Sequence, residues 1–131
     1  MDPNILNAIA NKTKNAEIET ACIKIQKMSD AIELDSTRLR NLPAPVYEYA
    51  GTSRQEIQNI IDSLTKKCQL LRNIEGNYNG IIRLAKTYPE LGIDVMAWQK
   101  ALIEWQKERQ ETEASKKSFQ LMQYDTPKPH R

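Results

Sequence analysis

The apolar positions of the first forty residues fall into a seven-residue rhythm. Ile18, Ile25, Ile32 and Leu39 repeat at that interval, with Ala21, Met28 and Leu42 three residues after members of the series. This spacing places them all on one side of an α-helix, as a core-facing stripe. Asp2 followed by Pro3 supplies an N-cap and a proline at the first helical position, and neither glycine nor proline recurs before Pro43. A first helix is therefore predicted over about residues 3–41. Ile5 and Ile9 fall out of this register, which Asn4, Asn7, Asn11 and Lys14 occupy instead. The first turns are expected either to drift around the axis or to form a separate short piece.

Pro43, Pro45 and Gly51 interrupt the pattern, since proline forces its predecessor out of the helical region, and residues 42–52 read as a connector. Thr52 and Ser53 are each followed three residues later by Gln55 and Glu56, two overlapping capping boxes that open a second helix over about 53–87. Its apolar set is Ile57, Ile60, Ile61, Leu64, Cys68, Leu71, Ile74, Tyr78, Ile81, Ile82 and Ala85. With Ile57 as heptad position a, these fall at a, d and e with no phase jump across Gly76 and Gly80, which predicts one long helix. Both glycines are placed on its outward face, at a cost of about 1 kcal/mol each relative to alanine, so a kink or brief interruption over residues 75–80 is the alternative to an unbroken helix.

Pro89, Gly92 and Asp94 then stop that helix and cap the next, so residues 88–93 read as a turn and a third helix is expected over about 94–123. Val95, Trp98, Ala101, Leu102 and Trp105 share one face of it. Residues 106–118 offer only Ala114 as an apolar side chain, before Phe119 and Met122 reappear. That stretch is read as a projecting, solvated helix supported by pairs such as Glu113 with Lys117. Residues 125–131, with two prolines, are read as a disordered tail.

The stripes of the first two helices are broader than a two-stranded seam, with e positions holding Cys22 and Ser29 in one and Ile61, Cys68 and Ile82 in the other. The charged flanks of a dimeric zipper are missing. The expected fold class is all-α: an elongated antiparallel helical hairpin, or coiled-coil-like bundle of three long helices, forming a single domain over 1–124. Ile25, Ile32, Leu64, Leu71 and Ile81 are assigned to the hairpin seam. Folding the chain about the middle of the connector brings Cys22 within about one turn of Cys68, so the two are expected to be neighbouring reduced thiols on the apolar stripes. Composition agrees with helices, since a chain of 131 residues with four glycines is poorly supplied for sheets or phosphate loops.

Charge adds a second candidate. The formal net charge is +2, but residues 1–65 carry seven basic and nine acidic side chains while the remainder carries twelve and eight. On the outward b, c and f positions of the second helix, Lys66, Arg72, Arg83 and Lys86 alternate with Asn59, Asn73 and Asn79 and are opposed mainly by Asp62, a row that could track phosphates. No aromatic side chain stands among them to stack bases.

Catalytic chemistry finds few parts. There is no G-x-S-x-G, Walker loop, H-E-x-x-H or G-x-G-x-x-G, and the one histidine is His130. Asp30, Glu33 and Asp35 could assemble a carboxylate site but are read as a solvated helix face. Two cysteines without a C-x-x-C give no metal site, and no cofactor is expected. The opening residues lack a basic stretch before an apolar run, and no run approaches the ~18–20 apolar residues of a bilayer crossing, so the chain is expected to be cytoplasmic and off the membrane.

The function expected is that of a non-catalytic helical protein-interaction subunit, an adaptor or small chaperone acting in a larger assembly through helix–helix packing. It would have a protein partner or self-association and no small-molecule substrate. Trp98, Leu102, Trp105 and Phe119 are the candidate partner contacts, because tryptophan either closes a small bundle or anchors an interface. Val46, Tyr47 and Tyr49 give the connector an apolar strap that could pack over the hairpin end or dock a partner. The alternative is a nucleic-acid-binding accessory subunit using Lys66, Arg72, Arg83 and Lys86.

Overall fold

The computed structural model describes residues 3–43 and 54–125, with the backbone alone for 3–13 and 125. Three helices make up nearly all of it: α1 (Pro3–Asn41), α2 (Arg54–Thr87) and α3 (Val95–Asp125), with a single 3₁₀ turn (Pro89–Leu91) before α3. The fold is all-α, and no strand occurs among the described residues. Each helix ends within about two residues of where the pattern of apolar positions and breakers places it. The Asp2 cap, the first-turn isoleucines, the Thr52 and Ser53 capping boxes, the Val46–Tyr47–Tyr49 strap and the tail beyond Asp125 lie outside the described residues or side chains.

α2 is the shared element. It packs against α1 on one side and α3 on the other, while α1 and α3 make little direct backbone contact. Both pairs are antiparallel. Lys14 meets Glu90 at 2.6 Å and Met28 abuts Gly80, so α1 rises as α2 descends. On the other side Tyr78 meets Trp98 with ring centroids 5.1 Å apart, and Gln123 donates to Gln58 Oε1 at 2.7 Å.

This arrangement explains the different widths of the apolar stripes. A helix with one neighbour needs a narrow a/d seam, and one with two neighbours needs a third column. α2 has that column: Ile57, Ile60, Ile61, Cys68, Leu71, Ile74, Ile81, Ile82 and Ala85 are buried, with Leu71, Ile74 and Ile81 at 0% exposure. In α1 only the a/d series turns inward. Ala21 and Ile32 are buried, and Ile25, Met28 and Leu39 pack against the Ile32–Ile74–Ile81 cluster. Of the residues assigned to the hairpin seam, Ile32, Leu71 and Ile81 are buried while Ile25 and Leu64 are half-buried.

Four expectations are corrected by the tertiary arrangement. First, Cys22 at an e position of α1 is exposed, because no third helix covers that flank. Second, the two thiols are not neighbours. The end of α1 shares a groove with Lys66 and Leu70 of α2, and Ala21 and Lys24 share another with Leu84. Cys22 therefore lies at about the level of Leu84 along the axis, and Leu84 is sixteen residues, or roughly 24 Å at ~1.5 Å per residue, from Cys68. The first three turns of α2 run beyond the end of α1, so the chain does not fold about the middle of its connector.

Third, residues 106–118 do not project. α3 lies along α2 for its whole length on a seam that continues by fours and threes through Trp98, Leu102, Trp105, Arg109, Thr112, Lys116, Phe119 and Gln123, all buried or half-buried. The middle of that seam is polar: Thr112 is buried and returns its hydroxyl to Glu108 O at 2.7 Å, and Arg109 reaches α2 as an ion. Fourth, Gly80 does not face outward. It is buried against α1, and a Cβ there would stand 2.5 Å from Met28 Sδ. Gly76 is open, with nothing within 4 Å of the same position, and α2 runs through both without interruption.

The turn into α3 follows from its residues. Gly92 takes the left-handed conformation at φ 65° and its N–H donates to Pro89 O at 3.1 Å, a position that strains any residue with a Cβ. Asp94 then caps α3, with Oδ1 accepting from Ala97 N at 3.1 Å.

Two expected outcomes separate the glycines and locate the core. In urea unfolding, Gly76→Ala raises stability by about 0.5–1 kcal/mol, whereas Gly80→Leu lowers it by about 1–3 kcal/mol because α1 is pushed off α2. Ile74→Ala, at a fully buried position, costs about 2–5 kcal/mol. A neutral Gly80→Leu variant would show that α1 does not approach α2 there.

Candidate functional site

The residues that the sequence singled out are divided between the interior and the surface. Leu102 is buried, at 8% exposure, on the seam with α2. Trp98 is half-buried, tilted at 53° against Tyr78, and both Trp98 and Trp105 lie against the Ile32–Ile74–Ile81 cluster. These two indoles fill the wedge that α1 and α3 leave above α2, which is why the outer helices need not touch. Phe119 is half-buried near the far end of α3. Lys66, Arg72, Arg83 and Lys86 are all exposed on α2, but Arg72 is engaged: its Nη2 donates to Glu113 Oε1 at 2.8 Å. The phosphate row therefore loses one of its four charges to the chain's own α3.

The wedge opens into a groove of about 780 Å³ along the C-terminal half of α1. Glu33, Ser36, Leu39 and Arg40 form the α1 wall, and Glu104, Trp105 and Glu108 the α3 wall. Lys67 of α2 lies at the base, with Nζ 2.8 Å from Glu108 Oε1. Leu39 and Trp105 give this groove an apolar strip between charged walls. Its acidic side chains are Glu33 on α1 and Glu104 and Glu108 one turn apart on α3. Among the described residues no group of three or more His, Cys, Asp or Glu is placed to hold a metal ion.

Behind the groove, α2 and α3 are tied by a chain of ions. Glu75 Oε2 accepts from Arg109 Nε at 2.5 Å, Arg109 Nη1 donates to Glu113 Oε2 at 3.0 Å, and Glu113 is shared with Arg72. Two carboxylates and two guanidinium groups alternate, so each partly buried charge has an opposite neighbour. The hydrogen bonds from Arg72 and from Arg109 Nη1 hold the Glu113 carboxyl below the usual range, and the bond to Glu75 raises the pKa of Arg109. Cys68 lies buried beside this network; burial raises its thiol pKa, with Glu113 adding to the effect.

In the sequence, Arg72 reads as part of a phosphate row, Glu113 as a partner of Lys117 and Asp35 as part of a solvated face, whereas Glu113 is held by Arg72 and Arg109. Glu75 and Arg109 were missed, yet the seam positions carried a signal. Asp35 stands three residues after Ile32 and four before Leu39, a seam position, and it is buried at 7% exposure with Arg38 Nη1 on its Oδ1 at 3.2 Å. It does not belong to the solvated face to which it was assigned with Asp30 and Glu33, both of which are exposed. Glu75 occupies the same column of α2 as Cys68 and Ile82, at seven-residue intervals. A charge that interrupts a continuing heptad column is a buried ion in search of a partner.

Comparison with protein-family models, with curated proteins and with solved structures gives no match for this chain. Among the described residues no helix is long and apolar enough to cross a membrane.

The ion network and the thiols make separate predictions. Glu113 and Glu90 have depressed pKa values in the folded chain, Glu90 through its hydrogen bond with Lys14. Between the depressed and ordinary glutamate values the unfolded chain binds more protons. Their stabilisation is thus complete above about pH 5 and is lost as pH falls through the folded values. The urea midpoint should fall on acidification, and Glu113→Gln should flatten that dependence; an unchanged slope in the variant would remove Glu113 as its source. With a thiol reagent under native conditions, Cys22 should react at once and Cys68 only on unfolding, giving one fast equivalent that Cys22→Ser abolishes.

Proposed function

We propose that this chain is a non-catalytic helical interaction subunit, an adaptor or small chaperone, that joins a larger assembly through helix–helix packing. The observation that carries this reading is where the exposed apolar side chains lie. Ile23 and Leu34 are each more than half exposed and eleven residues apart, three helical turns, on the side of α1 turned away from α2. Met96, Ile103, Leu121 and Tyr124 are likewise exposed on the outer side of α3. Both flanking helices thus carry an outer row of spaced apolar side chains that the described residues leave uncovered, and a partner that buried them would gain apolar contact.

Trp98 and Trp105 fit this role from within: they brace the wedge that holds the two outer rows apart, and Trp105 and Phe119 keep part of their surface accessible for contact. Leu102, as a core residue, supports α3 without meeting a partner. A nucleic-acid role on Lys66, Arg83 and Lys86 has less support, because Arg72 is neutralised by Glu113. The small apolar stripe of α1, covered by one neighbour only, agrees with a chain whose stability increases when a partner binds.

The test pairs mass measurement by light scattering with co-purification from the native source. Ile23→Glu combined with Leu34→Glu should leave helicity and the unfolding midpoint within about 0.5 kcal/mol of the parent, since both sites face solvent, while abolishing association. Retention of the partner or oligomer by this variant and by the matching Ile103→Glu, Leu121→Glu variant would overturn the reading. Binding to nucleic acid at about 150 mM salt that is lost on reversing Arg83 and Lys86 would replace it with the electrostatic alternative.

A further inference from the structure

The groove between α1 and α3 carries a more specific reading, which rests on the interaction role above and names the chemistry of what enters. Its charges do not cancel evenly. Lys67 is committed to Glu108 at 2.8 Å, so this pair offers little to a visitor. Arg40 turns its Nη2 to Thr37 Oγ1 at 3.2 Å, along its own helix. Glu33 on the α1 wall forms no ion pair with any described residue, and Glu104 on the α3 wall has only Lys107 at 3.5 Å with its side chain 71% exposed. Two available carboxylates therefore face each other across a strip made by Leu39 and the Trp105 ring.

We propose that this groove receives an arginine or lysine side chain from a segment of another protein, seated against the Trp105 indole between Glu33 and Glu104. The negative face of an indole attracts a cation, and a guanidinium group can stack on it while its edge donates to carboxylates on either side. The hydrocarbon stem of the same side chain would cover Leu39. The lining sets Glu33, Glu104 and Glu108 against Arg40 and Lys67, one more acid than base, so an acidic segment is disfavoured relative to a basic one. Because the walls come from α1 and α3, which make little direct backbone contact, an occupant bridges the two outer helices and reads whether both are docked.

The experiment uses the full chain labelled with nitrogen-15, whose two indole N–H resonances report on Trp98 and Trp105 separately once Trp105→Phe has assigned them. The probe is tetra-arginine, acetylated and amidated at its ends, with tetraglutamate capped in the same way as control. The expected result is a saturable shift of the Trp105 resonance with tetra-arginine, a static Trp98 resonance and no response to tetraglutamate. In the Glu33→Gln, Glu104→Gln variant the apparent affinity should fall at least fivefold with the urea midpoint unchanged, because both sites are exposed and glutamine keeps their shape. No saturable shift, equal affinity in the variant, or an equal response to tetraglutamate would overturn the groove. If these failures occur while the outer-row substitutions still abolish association, the groove alone falls and the interaction role stands.

Discussion

The structure depends on α2 having two neighbours. A helix that packs against helices on two sides must bury about half of its circumference, and α2 is the one segment whose sequence provides three adjacent apolar columns. Everything else is arranged around this. α1 and α3 need only a narrow seam each, because each meets one helix, and the space between them is filled by two indoles instead of by direct packing. The chain is consequently more a pair of antiparallel seams sharing a rod than a bundle closed around one centre.

The two seams solve the same geometric problem with different chemistry. Between α1 and α2 the contact is aliphatic, tightest where Gly80 lets Met28 approach, with Asp35 as a buried acid balanced by Arg38. Between α2 and α3 the ends are apolar and the middle is ionic, with Glu75, Arg109, Glu113 and Arg72 linked in series. A buried ion pair contributes little net stability over a hydrophobic pair, but a misaligned one leaves charges without partners. The ionic middle of α3 therefore specifies register more than strength: sliding α3 by one turn would separate Arg109 from Glu75 and Glu113 from Arg72 at once.

The same division organises the exposed surface. The faces turned toward α2 are committed to folding, which accounts for Leu102 and for most of Trp98. The faces turned away retain Ile23, Leu34, Ile103 and Leu121, and the wedge between the outer helices retains the groove beside Trp105. A chain built this way has three distinct surfaces, two apolar and one charged, each linked to the others through α2. Binding on either outer row would stabilise the docking of its helix, and hence the geometry of the groove.

Much of this was legible in the sequence. Pro3, the Pro43–Gly51 break, Pro89, Gly92 and Asp94 placed the helix ends, because chain breakers and caps act through local sterics and hydrogen bonds that require no knowledge of the rest of the fold. The a, d and e columns of α2 were visible for the same reason: helical periodicity is a property of one segment. What the tertiary structure decided is how segments meet. The register between α1 and α2, the exposure of Cys22, the buried side of Gly80 and the docking of residues 106–118 all depend on which partner stands opposite. A polar residue on a seam looks solvated until the opposite charge is found, and for Arg109 that charge, Glu75, lies on another helix.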